Sequence, residues 1–136
     1  MGLLVDEIMH GVVAMPFAVL LWYKSRSWRQ IMIFYLVVYF IDVDHLLDYW
    51  FYYGLKFSWN EFISLDFFSE KATVYLIFHA WEWVLIMFFF SVKRGWKSIV
   101  AAMNLAIFAH LVWDIHNFWS VEFYSIIYRA INGFTF

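Results

Sequence analysis

Phe40-Ile41-Asp42-Val43-Asp44-His45-Leu46-Leu47-Asp48 decides how this chain is read, because it sets ionisable groups near the end of a run, Ile31 to Tyr53, that is otherwise apolar or aromatic. A charged side chain at membrane depth is costly, and it marks a functional site whose partner has to be found. Working outward, Asp6, Glu7, Glu82 and Asp114 also fall inside apolar runs, whereas the Lys and Arg residues lie in connections or at the ends of runs. The counter-charge is therefore expected from a metal ion or from a set of protons.

Composition supports a membrane setting. Of 136 residues, 65% are hydrophobic and 26% aromatic, and the mean hydropathy of +0.71 lies far from the balance of a soluble domain. A bilayer span takes about 20 apolar residues, and helices are expected over about 3–23, 28–53, 71–92 and 97–119. The expected fold is all-α: a polytopic four-helix bundle, one transmembrane domain over 1–136. The first run does not read as a signal peptide, since Asp6 and Glu7 stand where a basic flank would be. The net charge of −2, with no basic patch, gives no reason to expect nucleic acid, and the lack of Cys excludes thiolate zinc, iron–sulfur and thiolate haem sites. Lys24, Arg26 and Arg29 in the first connection, and Lys93, Arg94 and Lys97 in the third, place both termini outside the cytoplasm by the positive-inside rule.

Local signals punctuate the runs. Ser27 to Gln30 and Ser58 to Glu61 have capping-box form, and Gly54 and Gly95 follow expected helix ends. Amphipathic spacing predicts two short interfacial helices, at about 58–68 and 120–132. In the second, Val121, Tyr124, Ile127, Tyr128 and Ile131 form the apolar face, opposite Glu122, Ser125 and Arg129. Pro16 is expected to kink the first helix, and Gly11 leaves room for a close approach beside His10.

The polar residues converge. If alternate helices run in opposite directions, His10, Asp44, His45, His79 and His110 each lie about 7 to 9 residues from an outer helix end, a layer roughly 10 to 14 Å deep. Glu7 and His10, Asp42 and His45, His79 and Glu82, and His110 and Asp114 are three or four residues apart, so each pair stands on one helix face. A single buried His is more often structural than a ligand, but four beside several carboxylates favour a metal. The expected ligands are His10, Asp42, Asp44, His45, His79, Glu82, His110 and Asp114. Glu82 is ligand or base, Asp48 base or an orienter of the ligands, and Glu7 undecided between ligand and support. His116 reads as interfacial, and among the aromatic residues Tyr75, one turn above His79, is the best candidate to touch substrate. Imidazole with carboxylate suits Zn, and also Mn or Fe, and this supply of ligands fits two ions better than one.

These motifs resemble a known family, the small predicted membrane-bound metal-dependent hydrolases, with an early His-Gly, an Asp-x-Asp-His late in a membrane helix, a later His motif and a final His-x-x-x-Asp. Here they are His10-Gly11, Asp42-Val43-Asp44-His45, His79 and His110-Leu111-Val112-Trp113-Asp114. Ile41 stands where the family usually has Pro, and Phe78-His79-Ala80-Trp81-Glu82-Trp83 replaces its third motif, so that Glu82 takes the place of a His ligand. The resemblance implies a plasma-membrane protein of bacterial or archaeal type that hydrolyses a phosphoester. The substrate expected is a lipid or isoprenoid phosphoester entering from the outer leaflet. A proton or metal-ion transporter using the same groups is the first alternative, and a haem or di-iron redox protein the second.

Overall fold

The computed structural model describes residues 3–64, 73–117 and 120–135. Among them the chain is helical, with one isolated antiparallel bridge between Thr73 and Thr135. Helix α1 spans Leu3–Ser25 and runs unbroken through Pro16. Helices α2 (Trp28–Phe40) and α3 (Asp44–Tyr53) are joined by a tighter 3₁₀ turn, Ile41–Val43. Next come α4 (Trp59–Ser64), α5 (Trp81–Arg94) and α6 (Ile99–Asn117). A 3₁₀ turn over Val121–Tyr124 leads into α7 (Ile126–Ile131). The expected interfacial helix over 58–68 is described as far as Ser64, and its remainder lies outside the described residues.

Three segments are long and apolar enough to cross a bilayer: Val5–Ser25, Trp28–Tyr53 and Ile99–His116. The third expected span departs from the sequence reading. Its helix starts at Trp81 rather than near residue 71, and the 14 residues of α5 rise about 21 Å, less than the roughly 30 Å of a hydrocarbon core. The reason is local. The N–H groups of Tyr75, Leu76 and Phe78 bond to aspartates of α3, so they are not available to a helix ladder. Leu76 also takes the left-handed conformation, with φ of 41°.

Helix α6 is the hub, packing on α1, α2 and α5. Small residues let the backbones close: Ala14 and Ala18 of α1 share a buried cluster with Ala102, Ala106 and Ala109 of α6, joined by Phe34 and Val38 of α2. A second cluster gathers Ile41, Val74, Leu76, Ile107, Leu111, Phe123 and Tyr124. His110 lies between the two, following Ala109 and preceding Leu111. Large apolar side chains such as Val19, Met32, Leu85 and Phe88 point outward, as lipid-facing positions would.

Gly54 and Gly95 follow α3 and α5 at positive φ, as expected of helix stops. Gly11 accommodates the Tyr39 hydroxyl, which a Cβ there would strike. The capping boxes do not form as read. Ser27 sits at the N-cap of α2 without a side-chain bond, and Gln30 donates instead to the Lys97 carbonyl. Glu61 accepts from the Tyr49 hydroxyl, which in turn accepts from the Ser58 N–H. The second interfacial piece is also rearranged. Its break at Ser125 resets the helical phase, so Arg129, expected on the polar face, is buried, while Ile127 and Ile131 are exposed.

Candidate metal centre

The 3₁₀ turn sets the first ligands. Side chains three residues apart eclipse in this geometry, and Asp42 Oδ1 lies 3.0 Å from His45 Nε2. Helix α1 adds His10, α6 adds His110 and Asp114, and the segment before α5 adds His79. The His10 and His110 rings stack at 3.7 Å between centroids, and those of His45 and His79 at 5.0 Å.

The imidazole nitrogens have distinct duties. His10 Nδ1 donates to the Asp6 carbonyl and His110 Nδ1 to the Val38 carbonyl, each at 3.0 Å. A carbonyl can only accept, so both Nδ1 atoms carry hydrogen. His79 Nδ1 donates to Asp44 Oδ2 at 3.0 Å. With Nδ1–H tied outward, each ring in its neutral form turns an Nε2 lone pair inward, the arrangement in which outer partners fix the tautomer of metal-binding His.

Those Nε2 atoms meet carboxylates at short range. His79 Nε2 lies 2.9 Å from Asp42 Oδ1 and 3.1 Å from His110 Nε2. Asp114 Oδ2 is 3.7 Å from His79 Nε2 and 3.5 Å from His110 Nε2, and Asp114 Oδ1 is 2.8 Å from His10 Nε2. Ligands about 2.0 Å from one tetrahedral ion stand about 3.3 Å apart, and these separations scatter around that value. Three groups could each hold an ion: His10, Asp42 and His110; Asp42, His45 and His79; and His79, His110 and Asp114. They overlap through Asp42, His79 and His110.

Protons alone serve the cluster poorly. Asp44 Oδ1, Asp114 Oδ2 and Glu7 Oε2 are buried without a hydrogen-bond partner, and the Glu7 carboxyl lies against that of Asp42. Protonating both His79 and His110 at Nε2 would set two imidazolium N–H groups head to head. A cation held by His79, His110 and Asp114 would serve Asp114 Oδ2 and relieve that opposition.

Of the sequence-predicted ligands, the structure brings together His10, Asp42, Asp44, His45, His79, His110 and Asp114. Asp44 works from behind, accepting from His79 Nδ1 and from the Phe78 N–H at 2.8 Å. Glu82 is not among them. It accepts from Ser125 Oγ at 2.6 Å and from the N–H groups of Ile126 and Ile127, holding the start of α7. Its expected pairing with His79 needs a continuous helix, and the non-helical segment before Trp81 removes that premise. Asp48 accepts from the N–H groups of Tyr75 and Leu76 at 2.8 and 3.0 Å, so it anchors the His79 segment instead of facing the cluster. Tyr75 packs its ring on Phe51 and Phe134. Asp6 accepts from the Trp113 indole at 2.8 Å, and His116 is exposed beside Trp113.

Arg129 escaped the sequence reading, which left every basic side chain outside the apolar interior. It is fully buried, and its Nη2 donates to the carbonyls of Leu76 and His79 at 2.9 and 3.0 Å. Burial draws its pKa below the ordinary arginine value, opposed by the charges of Asp44, Glu82 and Asp48. No sequence signal could have found it, because its burial depends on the break at Ser125. No family model, curated protein or solved structure matches the chain.

Proposed function

We propose that this protein is a membrane-embedded, metal-dependent hydrolase that cleaves a phosphoester of a lipid or isoprenoid substrate reached from the outer leaflet. The observation that carries the reading is the convergence of three inward Nε2 atoms, from His10, His79 and His110, on Asp42 and Asp114 at ion-sized spacing. Zn is the favoured ion, since nitrogen and oxygen ligands near tetrahedral separation suit it, and Mn or Fe would accept the same set. The overlapping groups favour two ions sharing Asp42. When bound, such ions supply Lewis acidity toward a phosphoryl oxygen and make water a nucleophile near neutral pH.

The remaining roles fall to the chain itself. Asp42 and His45, with side chains 13% and 15% exposed, form the open edge of a cluster whose other ligands are buried, so substrate approaches there. A lipid-like substrate is supported by an apolar groove of about 290 Å³ lined by Val37, Phe40, Ile41, Phe78, Trp83 and Met87. Its lining residues Ile41 and Phe78 directly precede Asp42 and His79 in the chain, which sets the groove beside the segments that carry two of the ligands. With the basic connections on the cytoplasmic side, both termini and the cluster lie toward the outside.

Transport is less well supported, because α1 and α6 continue away from the cluster as Ala14, Ala18, Ala102 and Ala106, and the buried polar side chains described in that half, Ser25, Gln30 and Asn104, are not ionisable. A bis-His haem is disfavoured by geometry: nitrogens 3.1 Å apart leave no slot for a porphyrin. Metal analysis of protein purified without chelators tests the proposal. The expected content is about two ions per chain, with phosphatase activity on a prenyl or acyl phosphate lost on chelation and restored by Zn, Mn or Fe. Less than about 0.3 equivalents, with no activity restored by any of them, overturns it.

A further inference from the structure

Arg129 has no part in the chemistry proposed above, yet among the described Lys and Arg residues it is the most completely enclosed. The other described Lys and Arg side chains are exposed. Its Nη2 bonds both the Leu76 and the His79 carbonyl, which bracket the last turn before α5. The opposite edge of the same segment is held by carboxylates, with Asp48 taking the N–H groups of Tyr75 and Leu76, and Asp44 that of Phe78. Irregular backbone at membrane depth is tolerated only where protein satisfies its polar groups. Here aspartates serve the donors, and one guanidinium serves two of the acceptors.

Arg129 is itself held in place. Ser125 caps α7 by accepting from the Tyr128 N–H, and Glu82 fixes Ser125 and the first N–H groups of that helix. The Phe123 ring lies 5.7 Å from the guanidinium. Past α7, the Phe134 carbonyl accepts from the Val74 N–H at 2.9 Å, closing the C-terminal segment over the His79 segment.

We propose that Arg129 is the positioning residue of His79: by gripping the carbonyls on either side of the turn, it sets the height and rotation of the imidazole, so metal affinity depends on a side chain that touches no ion. The proposal rests on the metal reading above. It separates from two other roles for the same residue. A merely structural plug would alter unfolding but leave the ion affinity of the folded protein unchanged, and a substrate anchor would alter KM without altering the ion's ligand field.

The test uses full-length protein in detergent micelles, titrated with Co²⁺ against a chromophoric chelator, with the visible ligand-field spectrum recorded. Arg129→Met, with wild-type helicity and a single size-exclusion peak, is expected to bind Co²⁺ about 10- to 100-fold more weakly, with an altered spectrum, as when an outer partner of a ligand is lost. Arg129→Lys keeps the charge but not the planar fork, and is expected to recover part of the affinity. Wild-type affinity and spectrum in folded Arg129→Met overturn the proposal. Should that variant not fold, the same result in Arg129→Lys overturns it. Failure of the wild type to bind Co²⁺ or Zn²⁺ instead sinks the metal reading itself, and a His79→Ala control that binds like wild type removes His79 from the ligand set.

Discussion

Asp42 is the residue on which most of the cluster turns, because its Oδ1 meets His45, His79 and His110 within 3.4 Å. Asp42→Asn keeps the shape but removes the shared charge, and bound metal is expected to fall from about two equivalents to below about 0.3, as read by elemental analysis. Glu82→Gln should behave oppositely, keeping full metal content while lowering the thermal midpoint through loss of about 1 kcal/mol from the start of α7. A Glu82→Gln protein that loses its metal while its thermal midpoint stays at the wild-type value would return Glu82 to the ligand set. At this scale the sequence was informative wherever chemistry and spacing coincide. Asp42 to His45, and His110 to Asp114, could be recognised because both ends of each pair sit on regular or nearly regular helix. Glu82 was misread because its pairing with His79 assumed a helix between them, and Arg129 was invisible because its neighbours read as a solvated face.

Among the elements, the non-helical segment from Thr73 to Ala80 is the one that sequence periodicity could not anticipate. Apolar content alone fits a buried helix and a buried extended strand of chain equally well, and what decides here is a pair of carboxylates from α3, far away in sequence. Asp48→Asn leaves one oxygen where two accept N–H groups, and is expected to destabilise the protein by about 1 to 3 kcal/mol and to weaken metal binding, checked by thermal melting and chelator competition. The long helices were legible because α1, α2 with α3, and α6 are apolar over a bilayer's width, and the Gly54 stop after α3 sits where expected. How closely they pack depends on alanines: at Ala106, which is fully buried between helices, a Leu would overpack the seam and cost about 1 to 3 kcal/mol, seen as a lowered melting point in detergent. Unchanged stability there would mean that the α1–α6 contact is looser than described.

Across the described residues, a largely apolar exterior surrounds a polar centre whose partly exposed edge is formed by the candidate ligands Asp42 and His45. Because imidazole must be neutral to bind a cation, lowering the pH sets protons against metal, so ion content is expected to fall on acidification and to return on neutralisation. Equilibrium dialysis between about pH 8 and 5 measures this, and content that stays constant across that range would point to groups held by something other than exchangeable cations. The enclosure of Arg129 also has a bearing on biosynthesis. Every candidate ligand, from His10 to Asp114, leaves the ribosome before Val121 to Thr135 do, so a nascent chain holds the complete coordinating set while the turn bearing His79 is still unfastened. Maturation of the centre would therefore wait on Val121 to Thr135, and premature termination just after α6 would yield a protein with all its donors and no fixed place to put one of them.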